Sequence, residues 1–284
     1  MQFKRIGLAI AFSPTANAML SEAGKLVRQF NATLILVHVG TQSSVQEEQI
    51  KEMIKSTGLD PAQVPVLFRK GDPVDEILKF CTEEKIDLLM AGALKKENLM
   101  GHYIGSIARK IMRKADCSLL MITNPSLSPA PFRNIVVNAE DSMYIEEAIQ
   151  VACQLGKIDN AQWIHIVREL KLYSLTLSAS DQCTEEEYED TKQKLVREEI
   201  AKVEEMLSRI PHADLKINIK VVAGKSGFEL SQFAQRKHAD LLIVGAPPRR
   251  LSIFSRVFTH DLEYVFADLP CSLFIINTKE VAHG

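Results

Sequence analysis

Residues 86–122 are IDLLMAGALKKENLMGHYIGSIARKIMRKADCSLLMI. Ile86–Ala91 is a short apolar run with Asp87 near its start, and it stops at Gly92. Gly105-Ser106 then opens a second pattern, with Ile107, Ala108, Ile111 and Met112 at helical spacing, and residues 118–122 return to a continuous apolar run. The spacing predicts strand, loop, helix, strand. A strand that ends on glycine and faces a Gly-Ser helix start is a place where an anion can sit. Free backbone N–H groups and the positive helix end converge there. Ser106 taken alone is equally a simple N-cap.

Upstream, Lys4–Ala11 is an apolar strand, broken by Pro14 and Thr15. A helix over about 15–30 follows, with Ala16, Met19, Leu20, Ala23, Leu26, Val27 and Phe30 on one face. Ala32–Val39 is the second strand, and 43–57 is a polar helix with Val45, Ile50, Met53 and Ile54 expected inward. Val64–Arg69 is the third strand. Gly71-Asp72-Pro73 turns the chain, Asp72 suiting an N-cap and Pro73 the first helical position. The helix runs on through Ile77, Leu78 and Phe80. With 87–91 and 118–122, five apolar strands alternate with helices. That pattern predicts βαβ units and a doubly wound parallel sheet covered on both faces, an α/β, Rossmann-like fold. Ligands bind such sheets beyond the carboxyl ends of the strands. The ends of strands one and four, the loop 92–104 and the start of helix 105–114 therefore surround one crevice.

Downstream, Asn124–Pro131 (NPSLSPAP) is a linker, and the order then begins again. Residues 133–139, 163–167, 215–223, 239–245 and 270–276 are strands. Helices are expected over 142–155, over 183–210 with a Thr184/Glu187 capping box, and after a Gly224 turn through Leu230, Phe233 and Ala234. IDLLMAGA (86–93) matches ADLLIVGA (239–246), ADCSLLMI (115–122) matches LPCSLFII (269–276), and LVHVG (36–40) resembles WIHIV (163–167). Ordered matches through both halves indicate duplication, with domains at 1–124 and 132–284 joined by 125–131.

Composition narrows the function. The 284 residues carry 46% hydrophobic and 25% charged side chains and a net charge of −2, as in an ordinary two-domain soluble protein with no nucleic-acid face. No apolar run approaches the roughly 18 residues that span a membrane. MQFKRIGLAIAF is a first strand, not a signal peptide. The five cysteines form no C-x-x-C, so neither zinc nor a disulfide framework is expected, and a cytoplasmic location is. There is no P-loop, H-E-x-x-H or G-x-S-x-G, and the seven histidines lack metal spacing. His38 and His165 recur at the ends of the two second strands, where a packed or hydrogen-bonded role fits. Arg109, Lys110, Arg113 and Lys114 give a solvated basic helix face. Without an acid–base or nucleophile constellation, binding is expected rather than catalysis.

Each half resembles a universal stress protein domain, and the whole resembles a tandem member of that family. The marks are Ser13-Pro14 after the first strand, Val37-His38-Val39, Gly71-Asp72-Pro73, Asp87-Leu88-Leu89 leading to Gly92, Gly105-Ser106, and the closing Cys-Ser-Leu strand. The resemblance implies a cytoplasmic stress-response regulator that pairs through its last strand, as a homo-oligomer or with a regulatory protein partner, and without nucleic acid or membrane. It implies a site for ATP or a related adenine nucleotide, with or without magnesium. Carried over residue by residue, that site comprises Ile10, Ala11, Val39, Gly92, Leu94, Lys95, Gly105, Ser106 and Ile107. Two positions depart from the binding pattern. Lys95 replaces a glycine, filling the space or meeting phosphates itself, and Ala11 replaces an aspartate. In the second half Gly245 remains, but Pro248 and Phe258-Thr259 replace the phosphate loop and Glu140 takes the aspartate position. No ATP site of the family's kind is expected there. A nucleotide-responsive regulator and a non-nucleotide scaffold both stay open.

Overall fold

The computed structural model describes residues 3–95, 102–140, 144–170, 185–223, 227–246 and 260–277. Pro248, Phe258, Thr259, the Thr184 cap, the Gly224 turn and the expected helix starts at 142 and 183 lie outside the described residues. The chain forms two compact units. Described residues within 1–131 and 272–284 make up the first, and those within 132–247 and 258–271 the second.

In the first unit the order is β1 (Arg5–Ala9), α1 (Ala16–Phe30), β2 (Thr33–Val39), α2 (Ser44–Ser56), β3 (Val66–Arg69), α3 (Pro73–Glu83), β4 (Leu88–Gly92), a short hairpin of β5 (Leu94–Lys95) and β6 (His102–Tyr103), α4 (Ser106–Lys114) and β7 (Ser118–Ile122). The second runs β8 (Asn134–Asn138), α5 (Ile145–Ile158), β9 (Trp163–Leu170), α6 (Glu185–Ser208), β10 (Ile217–Ala223), α7 (Phe228–Arg236), β11 (Leu241–Gly245) and α8 (His260–Ala267). The last strand, β12 (Ser272–Ile276), belongs to the first unit. The hairpin and α8 add to the elements expected from sequence.

Strands of the first unit lie in the parallel order β3-β2-β1-β4-β7, which is doubly wound and changes direction between β1 and β4. The sheet is mostly rather than wholly parallel, because β12 runs antiparallel to β7. Ser118 Oγ donates to Asn277 O at 2.8 Å, and Asn277 Nδ2 donates to Ala115 O at 3.1 Å, which ties down that edge. The second unit repeats the winding in β10-β9-β8-β11, all parallel. Helices cover both faces, so strand residues are apolar without alternation: Leu34–Val37, Leu88–Met90 and Leu119–Met121 are all buried.

A repeated aspartate fixes where each sheet begins. The Asp87 carboxylate accepts the N–H groups of Lys4 and Arg5, both at 3.0 Å. Asp240 accepts those of Arg133 and Asn134 at 2.7 and 2.8 Å. The Asp-Leu-Leu motif is therefore a structural clamp on the first strand of each unit. Asp72 caps α3 as expected, accepting from Val74 N and Asp75 N with Pro73 behind it. On α2, Ile50 and Ile54 are buried but Val45 is 65% exposed, which corrects its inward assignment. At 100° per residue Val45 lies about 140° around the helix from Ile50. The linker lies along α1. Glu22 accepts Ser126 N–H at 3.1 Å, and Lys25 Nζ donates to Ala130 O at 2.6 Å. Burial pushes the Glu22 carboxyl up, a shift that Ser126 and Lys25 only partly offset.

The strand registers also correct the sequence match between the two histidines. Arg5 pairs with Thr33, and Asn134 pairs with Trp163. Counted from the clamped strand starts, His38 corresponds to Arg168, not to His165. His165 lies inside β9, with Nδ1 3.1 Å from Asn218 Nδ2 and its ring stacked on Trp163.

Candidate functional site

The ends of β1 and β2 form one lip of the first unit's crevice. Leu36 N donates to Pro65 O and Gly40 N to Arg69 O, while Ile10 N donates to Val37 O. In a parallel ladder a residue turns both backbone groups toward the same neighbour. The alternation thus turns Val39 N–H and C=O toward the β1 side, where β1 has already ended at Ala9. Ile10 is buried, with its N–H on Val37 O and its C=O facing His38 Nδ1, and Ala11 is exposed.

His38 connects the two strand ends. Its Nδ1 lies 3.0 Å from Ile10 O, and since a carbonyl only accepts, Nδ1 is the donor. Phe12 and Phe68 meet the ring edge-on at 4.8 and 5.8 Å. A Cβ on Gly40 would come within 2.7 Å of His38 Nε2, so glycine makes room for the imidazole. Beside it a cleft of about 420 Å³ is lined by Val39, Gly40, Thr41, Lys70, Gly71 and Pro73. Sequence reasoning missed Lys70 and the cleft, although the Gly71-Asp72-Pro73 turn beneath it was legible. A second cleft of about 690 Å³ lies between Phe12, Ser13 and Ala16 on one side and Val45, Glu48, Glu52 and Met53 on the other.

The opposite lip is built by β4, the hairpin and α4. Gly92 ends β4, and a Cβ there would stand 3.6 Å from Met19 Sδ, an ordinary contact. Leu94 and Lys95 pair with Tyr103 and His102 across the hairpin. Burial lowers the His102 pKa, and the nearby Lys95 ammonium lowers it further. The N-cap of α4 is Gly105, not Ser106, which occupies the first helical position. Gly105 has no side chain to cap the helix, so no cap hydrogen bond competes at the helix start. Leu94 instead leans over it, since a Cβ on Gly105 would meet Leu94 Cδ1 at 2.7 Å. Ile107 is 46% exposed on the first turn. Arg109 departs from the expected solvated face, as its Nε folds back to Ile104 O at 2.9 Å. The structure thus gathers Ile10, Ala11 and Val39 on one lip and Gly92, Leu94, Lys95, Gly105, Ser106 and Ile107 on the other.

Residues 40–123 match the family model described as the universal stress protein family. Over those residues the chain is similar to a universal stress protein domain. The match takes in Gly92, Leu94, Lys95, Gly105, Ser106 and Ile107, while Ile10, Ala11 and Val39 precede it. A universal stress protein of Methanocaldococcus jannaschii is 22% identical over 142 residues, spanning 43% of this chain and 84% of that protein. One of Methanothermobacter thermautotrophicus is 28% identical over 96 residues, spanning 29% of this chain and 65% of that protein. Among solved structures, a functionally unknown protein from Pseudomonas aeruginosa PAO1 has a TM-score of 0.72 at 14% identity, covering 98% of this chain and 93% of its own. A universal stress protein from Archaeoglobus fulgidus has a TM-score of 0.67 at 14% identity, covering 98% and 99%. At such identities the likeness is one of fold. Among the described residues no helix is long and apolar enough to cross a membrane.

The second unit's crevice is built differently. Arg168, in the position of His38, is 4% exposed. Its Nη1 donates to Ala139 O at 2.6 Å, and Ala139 corresponds to Ile10. Its Nε donates to Glu199 Oε2 on α6 at 2.7 Å, and Nη2 donates to the same oxygen. Glu199 also accepts from Lys202 Nζ at 2.6 Å. Burial raises the Glu199 pKa, but the bonds from Lys202 and Arg168 outweigh it and hold the carboxyl below its usual range. Glu140 stands at the end of the first strand, with its Oε2 3.5 Å from Asn138 Nδ2.

Proposed function

We propose that the protein is a cytoplasmic stress-response regulator whose first unit binds ATP or a related adenine nucleotide between β1 and β4. The observation that carries the reading is the pair of open backbone ends. Val39 turns N–H and C=O into the crevice, and α4 faces it with a helix start that no side chain caps. An adenine edge needs one donor and one acceptor, which Val39 supplies whatever its side chain. A phosphate group suits the amides after Gly105, with Lys95 adding a point charge. Leu94 is 51% exposed, so its side chain has solvent to turn into when a phosphate takes the space over Gly105. Magnesium would accompany the phosphates from solution, and the role is binding rather than turnover.

The reading treats 1–124 and 132–284 as two universal stress protein-like domains joined by 125–131, with chains associating as homo-oligomers. A second reading, a scaffold for a regulatory protein partner whose pocket has closed or changed its ligand, is favoured for the second unit alone. There the Arg168–Glu199 ion pair holds the position of His38.

The test is thermal unfolding with ATP, ADP and AMP, each with and without magnesium. Wild type is compared with Lys95→Glu and Gly105→Phe. Gly105 has φ −66°, so its backbone accepts a side chain and Leu94 alone has to shift. A ligand at about 100 times its Kd adds about 2.7 kcal/mol of stability. A rise in Tm that shrinks in both variants is expected. No rise in wild type with any nucleotide would overturn the reading.

A further inference from the structure

The second crevice holds a buried guanidinium where the first holds an imidazole. Arg168 and His38 occupy one position in two copies of the same winding, and each bonds the carbonyl of the residue just past the first strand. A guanidinium has donors to spare after one carbonyl, and its fork accepts a carboxylate or a phosphate in the same geometry. In this chain the acceptor is internal: Glu199. A second acidic side chain acts likewise nearby. Glu169, next in β9, accepts the N–H of Gly227 at the start of α7 at 3.0 Å. Two groups suited to an exogenous anion are thus met by the unit's own carboxylates.

The helix that brings Glu199 buries few side chains. Over residues 186–208 of α6 only Val203 and Leu207 are buried, and both lie toward its C-terminal end. Everything from 186 to 202 is exposed or half-buried. Glu199 is therefore the inward anchor that precedes Val203. Lys202, already bonded to Glu199, would remain as its counter-ion after release.

We propose that Arg168 is the anion-binding group of the second unit and that Glu199 is its built-in occupant. A phosphate-bearing anion competes with the Glu199 carboxylate for the one guanidinium. When the anion wins, the N-terminal part of α6 comes away from the strand ends. The site differs in kind from the nucleotide crevice of the first unit, because its specificity rests on a buried charge rather than on backbone amides.

The experiment uses the full chain and inorganic phosphate, followed by calorimetry and by Tm against phosphate concentration, with sodium chloride matching ionic strength. Glu199→Gln keeps the side-chain shape but withdraws the competing charge. Phosphate should bind this variant at least tenfold more tightly than wild type, and the gain should vanish in Glu199→Gln with Arg168→Met. Equal phosphate affinity in wild type and Glu199→Gln, or an undiminished gain in the double variant, would overturn the proposal. If Glu199→Gln does not fold, hydrogen exchange on wild type decides. Phosphate should speed amide exchange in α6 beyond the effect of chloride, and an identical effect of both salts would refute competition. Parallel titration of Glu199→Gln with ADP identifies the source of the phosphate. Tighter binding of ADP points to a nucleotide and tighter binding of phosphate to the free ion, and either affinity, if it depends on Arg168, upholds the site.

Discussion

Removing the Asp87 carboxylate tests the claim that one side chain sets the start of the first sheet. Asp87 lies where three strands begin. Its carboxylate holds Lys4 N–H and Arg5 N–H at 3.0 Å, its own N–H donates to Arg5 O, and its carbonyl accepts Ser118 N–H. Asp87→Ala keeps the backbone bonds and deletes the two carboxylate ones. Bonds to a charged group contribute about 1.5–3 kcal/mol each when buried, and this site is half-exposed, so the low end applies and the loss is about 2–4 kcal/mol. Asp87→Asn retains an acceptor oxygen and should lose about half of that. Urea unfolding measures it, as a lower midpoint at unchanged slope. The mirror variant Asp240→Ala breaks shorter bonds, 2.7 and 2.8 Å, and should cost at least as much. The sole tryptophan, Trp163, lies in the second unit, so its fluorescence follows Asp240→Ala directly, while circular dichroism follows both. A loss below about 0.5 kcal/mol in both alanine variants, within the range of ordinary surface substitutions, would refute the clamp.

Two further outcomes follow from the packing. Glu22 has a carboxyl pKa raised mainly by burial, so the folded state holds its proton to higher pH than the unfolded chain does. Stability from this group is present at low pH and is lost as pH rises through the folded pKa. Glu22→Gln can still accept from Ser126 N–H, so it should raise Tm at about pH 8 and match wild type at about pH 3; a constant difference across that range would show that burial of charge is not the cause. Gly7→Ala would place a Cβ 2.8 Å from Phe80 Cε1 and 3.2 Å from Ile86 Cγ2, and both side chains are fully buried. Overpacking of this kind costs about 1–3 kcal/mol, read as a lower urea midpoint, and an unchanged midpoint would mean that α3 is free to shift.

Much of the fold was legible because strand runs and helix faces have different periods. Asp72-Pro73 announced a helix start, and the repeated Asp-Leu-Leu runs located β4 and β11. What was missed has physical causes. The hairpin strands β5 and β6 have two residues each, too few to show alternation. The reversed direction of β12 leaves no mark in an apolar run, since strand polarity is not a property of composition. The mistaken pairing of His38 with His165 arose from matching local words, while β9 runs to Leu170 and carries the counterpart of His38 three residues further on. Of the site, the glycines and the helix start were visible as motifs. Leu94 leaning on Gly105 and Arg168 reaching Ala139 were not, because long side chains choose their partners in three dimensions.

The lateness of β12 has a consequence for synthesis. β7 ends at Ile122, and the strand that lies beside it begins at Ser272. About 150 residues separate them, and at about 5–20 residues per second a ribosome takes roughly 8–30 seconds to bridge the gap. Throughout that interval SLLMI, four apolar residues behind a serine, is an uncovered sheet edge on a unit otherwise complete. Nascent chains on one message meet each other during this window, when each offers the same sticky border. Whatever guards the protein before its final strand emerges must shield that border first.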